Sequence, residues 1–181
     1  MLLTVLNLEM ALVEAVQMWT ADIFLKNPED RTPTPTLVAP KVYQTAVPSF
    51  QAGPEAPSQP KAPSIAIRAS NATYSRERGE ATVHFAILTW DTSLDRKGSQ
   101  DVANIMERIR QGLQEKVWIA DSFPLTDHPI ELEIIDDPSE DFHGYYLGAV
   151  TARFGIMSLG PNDAPYNYTG DGTLEVSTFD S

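Results

Sequence analysis

The chain has 181 residues, with 25 Asp and Glu against 13 Lys and Arg, a formal net charge of −12, and no cysteine. The missing cysteines exclude a disulfide framework, a thiolate metal site and a cysteine nucleophile. The acidity makes the chain a poor binder of DNA or anionic membrane, because neutralising phosphate needs Lys and Arg.

The opening stretch, MLLTVLNLEMALVEAVQMWTADIFLK, is apolar, but Glu9, Glu14, Gln17 and Asp22 interrupt it. No uninterrupted run is long enough to span a bilayer, and no basic leader or small-residue cleavage site marks a signal peptide. The spacing predicts an amphipathic helix with Val5, Leu8, Leu12, Ala15, Val16, Trp19 and Ile23 on one face, ended by Asn27-Pro28. A proline-rich region follows. It is expected to hold a short extended element at Lys41 to Ala46 and a long exposed loop from Ser49 to Ser64, because proline lacks the N–H that helices and inner strands need. Ile65-Ala66-Ile67 reads as a short strand, and Asn71 to Gly79 as a polar connection.

Glu80 to Leu113 is the best-specified unit. Ala81, Val83, Phe85 and Ile87 alternate with Thr82, His84 and Ala86, which gives a strand with one apolar face. After the polar loop DTSLDRKGS, the residues Val102, Ile105, Met106, Ile109 and Leu113 form one helical stripe. Ser99 is the expected N-cap, with Asp101 in the first turn. The loop is not the glycine-rich cradle that a nucleotide phosphate needs, so the unit reads as scaffold. Val117 to Phe123 reads as a connector. Ile130, Leu132 and Ile134 alternate with Glu131 and Glu133 as a half-buried strand, and GYYLGAVTARFGIM forms a long strand with Tyr146, Val150, Phe154 and Ile156 on one side.

This order predicts an α+β fold: a mainly antiparallel β-sheet with two helices packed on one face, plus a long loop and a C-terminal arm. One domain is expected over 1–157, with the proline-rich loop at about 49–63, and an arm over 158–181 that is unordered or orders against a neighbour through TLEVSTF.

Signals of chemistry are sparse. His84, His128 and His143 share no metal-binding spacing, and GxSxG is missing. The acidic group Asp136, Asp137, Glu140 and Asp141 lacks the spacing and fixed glycine of a calcium loop and reads as a solvated turn. Neither a cofactor nor catalysis is expected. Glu107, Arg108, Arg110 and Gln111 lie on the polar side of the second helix, either paired with one another or facing another subunit. Trp90 is a core lid, an interface anchor or a stacking platform, though no basic groove accompanies it.

Three segments together resemble the tail terminator, or tail completion, proteins of tailed bacteriophages, a class of minor tail protein. They are ATVHFAILTWDTSLDRKGSQDVANIMERIRQGLQEK, then IELEIIDDPSEDFHGYYLGAVTARFGI, and the N-terminal helix followed by PKVYQTAVPS. The resemblance covers most of Val5 to Ile156. The proline-rich stretch near Gln51 to Pro63 and the tail after Ser158 depart from the family pattern.

The resemblance implies a structural virion protein, assembled in the host cytoplasm, that forms a ring, usually a hexamer, capping the tail tube. Such a ring ends tube polymerisation and joins the tail to the head-side connector proteins at the neck. DNA passes through its channel without specific binding. Under that reading Trp90, Glu107, Arg108, Arg110 and Gln111 are subunit-interface candidates, and Asp136, Asp137, Glu140 and Asp141 are candidates for the lumen. A head-side connector or stopper is the alternative. An enzyme acting on nucleic acid or cell wall, using Asp136, Asp137 or His143, is disfavoured by the missing constellation.

Overall fold

The structure, a computed structural model, describes residues 5–30, 32, 36–51, 58–75, 79–92, 97–135, 144–156, 167–168 and 174–175. Helix α1 spans Val5–Trp19. Short strands β1 (Leu25–Lys26) and β2 (Leu37–Val38) pair antiparallel. Strands β3 (Lys41–Gln44), β6 (Ser64–Tyr74), β7 (Gly79–Trp90), β10 (Glu131–Ile135) and β11 (Tyr145–Ile156) form the main sheet, in the order β10-β11-β7-β6-β3. Helix α2 spans Lys97–Glu115. Every neighbouring pair in the sheet is antiparallel except β3 with β6. The chain is therefore an α+β fold with a mostly antiparallel sheet.

Both helices cover the same face, and the register shows why. Val83, Phe85 and Ile87 of β7 lie opposite Ala152, Val150 and Gly148 of β11, and alternation points these residues to one side. There they join Leu8, Leu12 and Val16 of α1 and Val102, Ile105, Met106, Ile109 and Leu113 of α2 in one buried core. Two glycines set the approach. A Cβ on Gly148 would collide with Val102 of α2, and one on Gly112 of α2 would collide with the Trp19 ring at the end of α1. Without a side chain at Gly148 α2 lies close on the sheet, and without one at Gly112 the Trp19 ring packs against α2.

Several sequence expectations need correction. α1 stops at Trp19, where the Thr20 hydroxyl and N–H both turn back to the Val16 carbonyl. Leu25 and Lys26, expected in the helix, are strand. α2 begins at Lys97, so Ser99 is inside the helix and Asp101 lies beyond the first turn. The short strand at Ile65 is an 11-residue one that continues through Tyr74, into the expected polar connection. Its polar half pairs with β7 after a bulge between Ala69 and Asn71. β10 is a strand as expected, yet every residue in it is exposed, because it closes one edge of the sheet.

Strands β4 (Ser49–Gln51) and β5 (Ser58–Pro60) make a hairpin within the stretch expected as a loop. Lys61 N–H donates to the Pro48 carbonyl and Lys41 N–H to the Pro63 carbonyl, anchoring the base of that hairpin beside β3. Strands β8 (Trp118–Ile119) and β9 (Phe123–Pro124) form a second small hairpin. Ala120 and Asp121 both adopt positive φ in its three-residue turn. Strands β12 (Asn167–Tyr168) and β13 (Leu174–Glu175) pair as a two-residue ladder.

A buried carboxylate fastens α1 to the sheet at the bulge. Glu9 accepts hydrogen bonds from the Ala69 N–H at 2.7 Å and from Gln44 Nε2 at 3.0 Å. Substituting Glu9 with alanine takes this acceptor from the half-buried Ala69 N–H, at a cost of about 1 kcal/mol. Urea denaturation is expected to show that loss, with Glu9→Gln, which keeps one acceptor, closer to the parent. Equal effects for the two variants would show that the acceptor is not what matters.

Candidate functional site

Four of the five interface candidates lie together on α2, and three of them are bonded to one another. Arg110 donates to Glu107 through Nε at 2.8 Å and through a second guanidinium nitrogen at 2.5 Å. Gln111 donates to Glu107 at 3.0 Å, and Arg110 also donates to Gln114. These bonds hold the Glu107 carboxyl well below the usual range, to about 2, with the Arg110 bonds first among the causes. Arg108 reaches Asp22 at 3.1 Å, tying α2 to the turn after α1.

Trp90 is elsewhere. It lies opposite Tyr145 in the register, on the sheet face away from the helices. There it borders a small second cluster of Ala62, Leu88, Tyr145 and Leu147. The Tyr145 hydroxyl lies 3.3 Å from the Pro60 carbonyl and 3.4 Å from Gln59 Oε1, so the β4–β5 hairpin packs beside this cluster. The five candidates thus form two separate surfaces. Asp136, Asp137, Glu140, Asp141 and His143 lie outside the described residues.

Of the other histidines, His84 is a sheet residue and His128 lies in the bend before β10. His84 Nδ1 is 2.9 Å from the Thr151 hydroxyl across the β7–β11 pair. His128 is 3.4 Å from Glu80, which Arg153 approaches at 3.6 Å. Among the described residues no group of His, Asp and Glu is arranged to hold a metal ion.

Sequence reasoning missed a charged cluster at the end of β7. Lys26 Nζ donates to Asp91 Oδ1 at 2.7 Å; the Asp91 side chain is 2 % exposed and that of Lys26 37 %. The Asp91 N–H donates to the carbonyl of Gly144, whose φ of +84° starts β11. Nearby, burial and then the Asp91 charge raise the Asp101 carboxyl above its ordinary value. The sequence signal was faint: one Asp after a long strand and one Lys after a helix, 65 positions apart. The geometry suits fixing strand ends and the start of α2.

The Asp101 shift has a definite sign. A carboxyl whose folded value is raised binds protons more readily in the folded state, so its contribution weakens as pH rises above the unfolded value. Asp101→Asn is therefore expected to raise Tm at pH 7, with the gain shrinking as pH falls toward the ordinary aspartate value of 3.8. A pH series of thermal melts reads this directly, and a lower Tm for the variant at pH 7 contradicts it.

Two further surfaces stand out. The outer side of β10 has no strand partner among the described residues, and Leu132, Ile134 and Ile135 there are 43 %, 41 % and 43 % exposed. At one end of the sheet a cleft of about 850 Å³ opens between the β6–β7 end and the β8–β9 hairpin.

The chain matches no protein-family model, and no curated protein matches it.

Proposed function

We propose that this protein is a structural subunit that assembles into a ring terminating a bacteriophage tail tube. Support comes from the resemblance of the strand–turn–helix and final-strand segments to tail terminators, together with a fold compatible with that role. The observation that carries self-assembly is β10. Among the described residues it is a sheet edge with no strand partner on one side, and it carries three exposed aliphatic residues, a template for another chain. A closed ring satisfies every such edge and stops further growth. One ring face would match the last tube ring, and the other would meet the head-side connector. The acidic balance would let DNA slide through the channel, since Asp and Glu repel phosphate where Lys and Arg would hold it. Among the described residues, no helix is long and apolar enough to cross a membrane.

Electron microscopy of particles assembled without this protein tests the reading. Overlong, headless tails are expected. Tails of normal length on empty or leaking heads would overturn termination in favour of a head-side stopper. The same preparations with Leu132→Glu and Ile134→Glu are expected to show the termination defect, because two added charges on the edge oppose pairing.

A further inference from the structure

The cleft at the end of the sheet has two aromatic residues on different walls. Tyr74, at the end of β6, is 61 % exposed, and Trp118, at the start of β8, is 52 % exposed. Pro124, Leu125 and Ile156 add apolar surface between them. At about 850 Å³ the space is the size of a site that takes several side chains. Two exposed aromatics line one concave surface, and exposed apolar patches of this kind mark sites that something covers.

What reaches the cleft is set by where β11 ends. Gly155 and Ile156 line it, so the polypeptide continues from its wall into residues 157–181. That segment has no Lys or Arg, and contains Met157, Leu159, Tyr166, Tyr168, Leu174, Val176 and Phe179. Within it the ladder of β12 and β13 pairs Tyr168 with Leu174. A two-stranded ladder is marginal in water unless it packs on another surface. Residues 157–166 tether it to Ile156, and ten residues reach at most about 35 Å, enough to fold back onto the cleft next to their origin. A tether this short gives an effective concentration on the order of millimolar, so weak apolar contacts suffice. The segment carries Asp163, Asp171, Glu175 and Asp180 and the cleft is lined by Glu80 and Asp127, so apolar contact and the short tether, rather than charge attraction, drive the docking.

We propose that the cleft between Tyr74 and Trp118 is the docking site for the chain's own C-terminal segment, with the β12–β13 ladder as its apolar occupant. The docking is intramolecular and independent of ring formation.

Hydrogen exchange on the full chain tests it. Amides of 167–175 are expected to exchange at least about tenfold more slowly than an unstructured peptide. That protection should not depend on protein concentration. The double variant Tyr74→Ser with Trp118→Ser is expected to abolish the protection while leaving the exchange of β7 and β11 unchanged, since both side chains are half-exposed. Leu174→Asp, which alters only the occupant, should do the same. Because the chain has no cysteine, Ser181→Cys accepts a single nitroxide, which is expected to broaden the Trp118 indole resonance in the parent and not in Leu174→Asp. Three results would overturn the proposal: free exchange of 167–175 in the parent, protection unchanged in the double variant, or protection that grows with concentration. The last would assign the cleft to the segment of another copy.

Discussion

Lys26→Met is expected to lower the unfolding free energy by up to about 3–5 kcal/mol, because it removes the positive charge that Lys26 holds against a buried carboxylate. Asp91 is almost fully enclosed, whereas Lys26 is partly in water. The pair is therefore asymmetric. Removing the carboxylate lets the ammonium rehydrate, so Asp91→Asn should cost less than Lys26→Met. Removing the ammonium also leaves Asp91 and Asp101 as neighbouring like charges, since Lys26 is one of the groups that favours the ionised form of Asp101. In a double-mutant cycle the combined variant should be clearly more stable than the sum of the two losses predicts. Urea denaturation at pH 7 measures all three. A Lys26→Met variant within about 1 kcal/mol of the parent would show that the Lys26 charge is not what stabilises the Asp91 carboxylate.

A loss of similar size, about 3–5 kcal/mol, is expected for Phe85→Ala. Phe85 is fully buried at the centre of the sheet, between Ile67 on β6 and Val150 on β11. Truncation removes its transfer free energy and leaves a cavity that two flanking strands and a layer of helices hold open. Leu132→Ala on the exposed edge serves as the contrast, with an expected change within about 0.5 kcal/mol. If both substitutions cost the same in the isolated subunit, β10 is covered in solution and the edge is not free. That outcome would also bear on assembly, because a covered edge in the free subunit has already found its partner.

Elements with a strong period were readable from sequence alone. β7 and the apolar stripe of α2 lie where alternation and helical spacing put them, and all five stripe residues are buried. Tyr146, Val150, Phe154 and Ile156 share one face as expected. Elements held by long-range partners were not readable. The second half of β6, Asn71 to Tyr74, is polar, and it is strand because β7 offers it a ladder. Leu25 and Lys26 leave α1 because β2 pairs with them and Asp91 captures the lysine. The alternation at Glu131 to Ile135 signalled a strand correctly, yet period cannot say whether a strand is central or at an edge, and here burial depends on that position.

The candidate surfaces divide in the same way. Glu107 and Arg110, three residues apart on one helix, were readable as a pair, and they do pair. Trp90 was an isolated aromatic, and its cluster needed the β7–β11 register and the hairpin on the far face. The cleft gathers residues from the ends of β6 and β11, the start of β7 and the β8–β9 hairpin with the stretch after it. No short stretch of sequence carries that combination.

The sheet order also has a consequence in time. Its central strand, β7, finds β6 immediately before it in the chain, but its other neighbour, β11, is made only after residues 91 to 144. During synthesis one long side of β7 must therefore wait, with Val83, Phe85 and Ile87 lacking their cross-strand partners. Contacts of such wide sequence separation are slow to form, and strands left open in the interval are where chains stick to one another. A product ending before Ile156 lacks part of the strand that closes the sheet, and it should accumulate as aggregate, whereas the whole chain closes its core as soon as β11 is made.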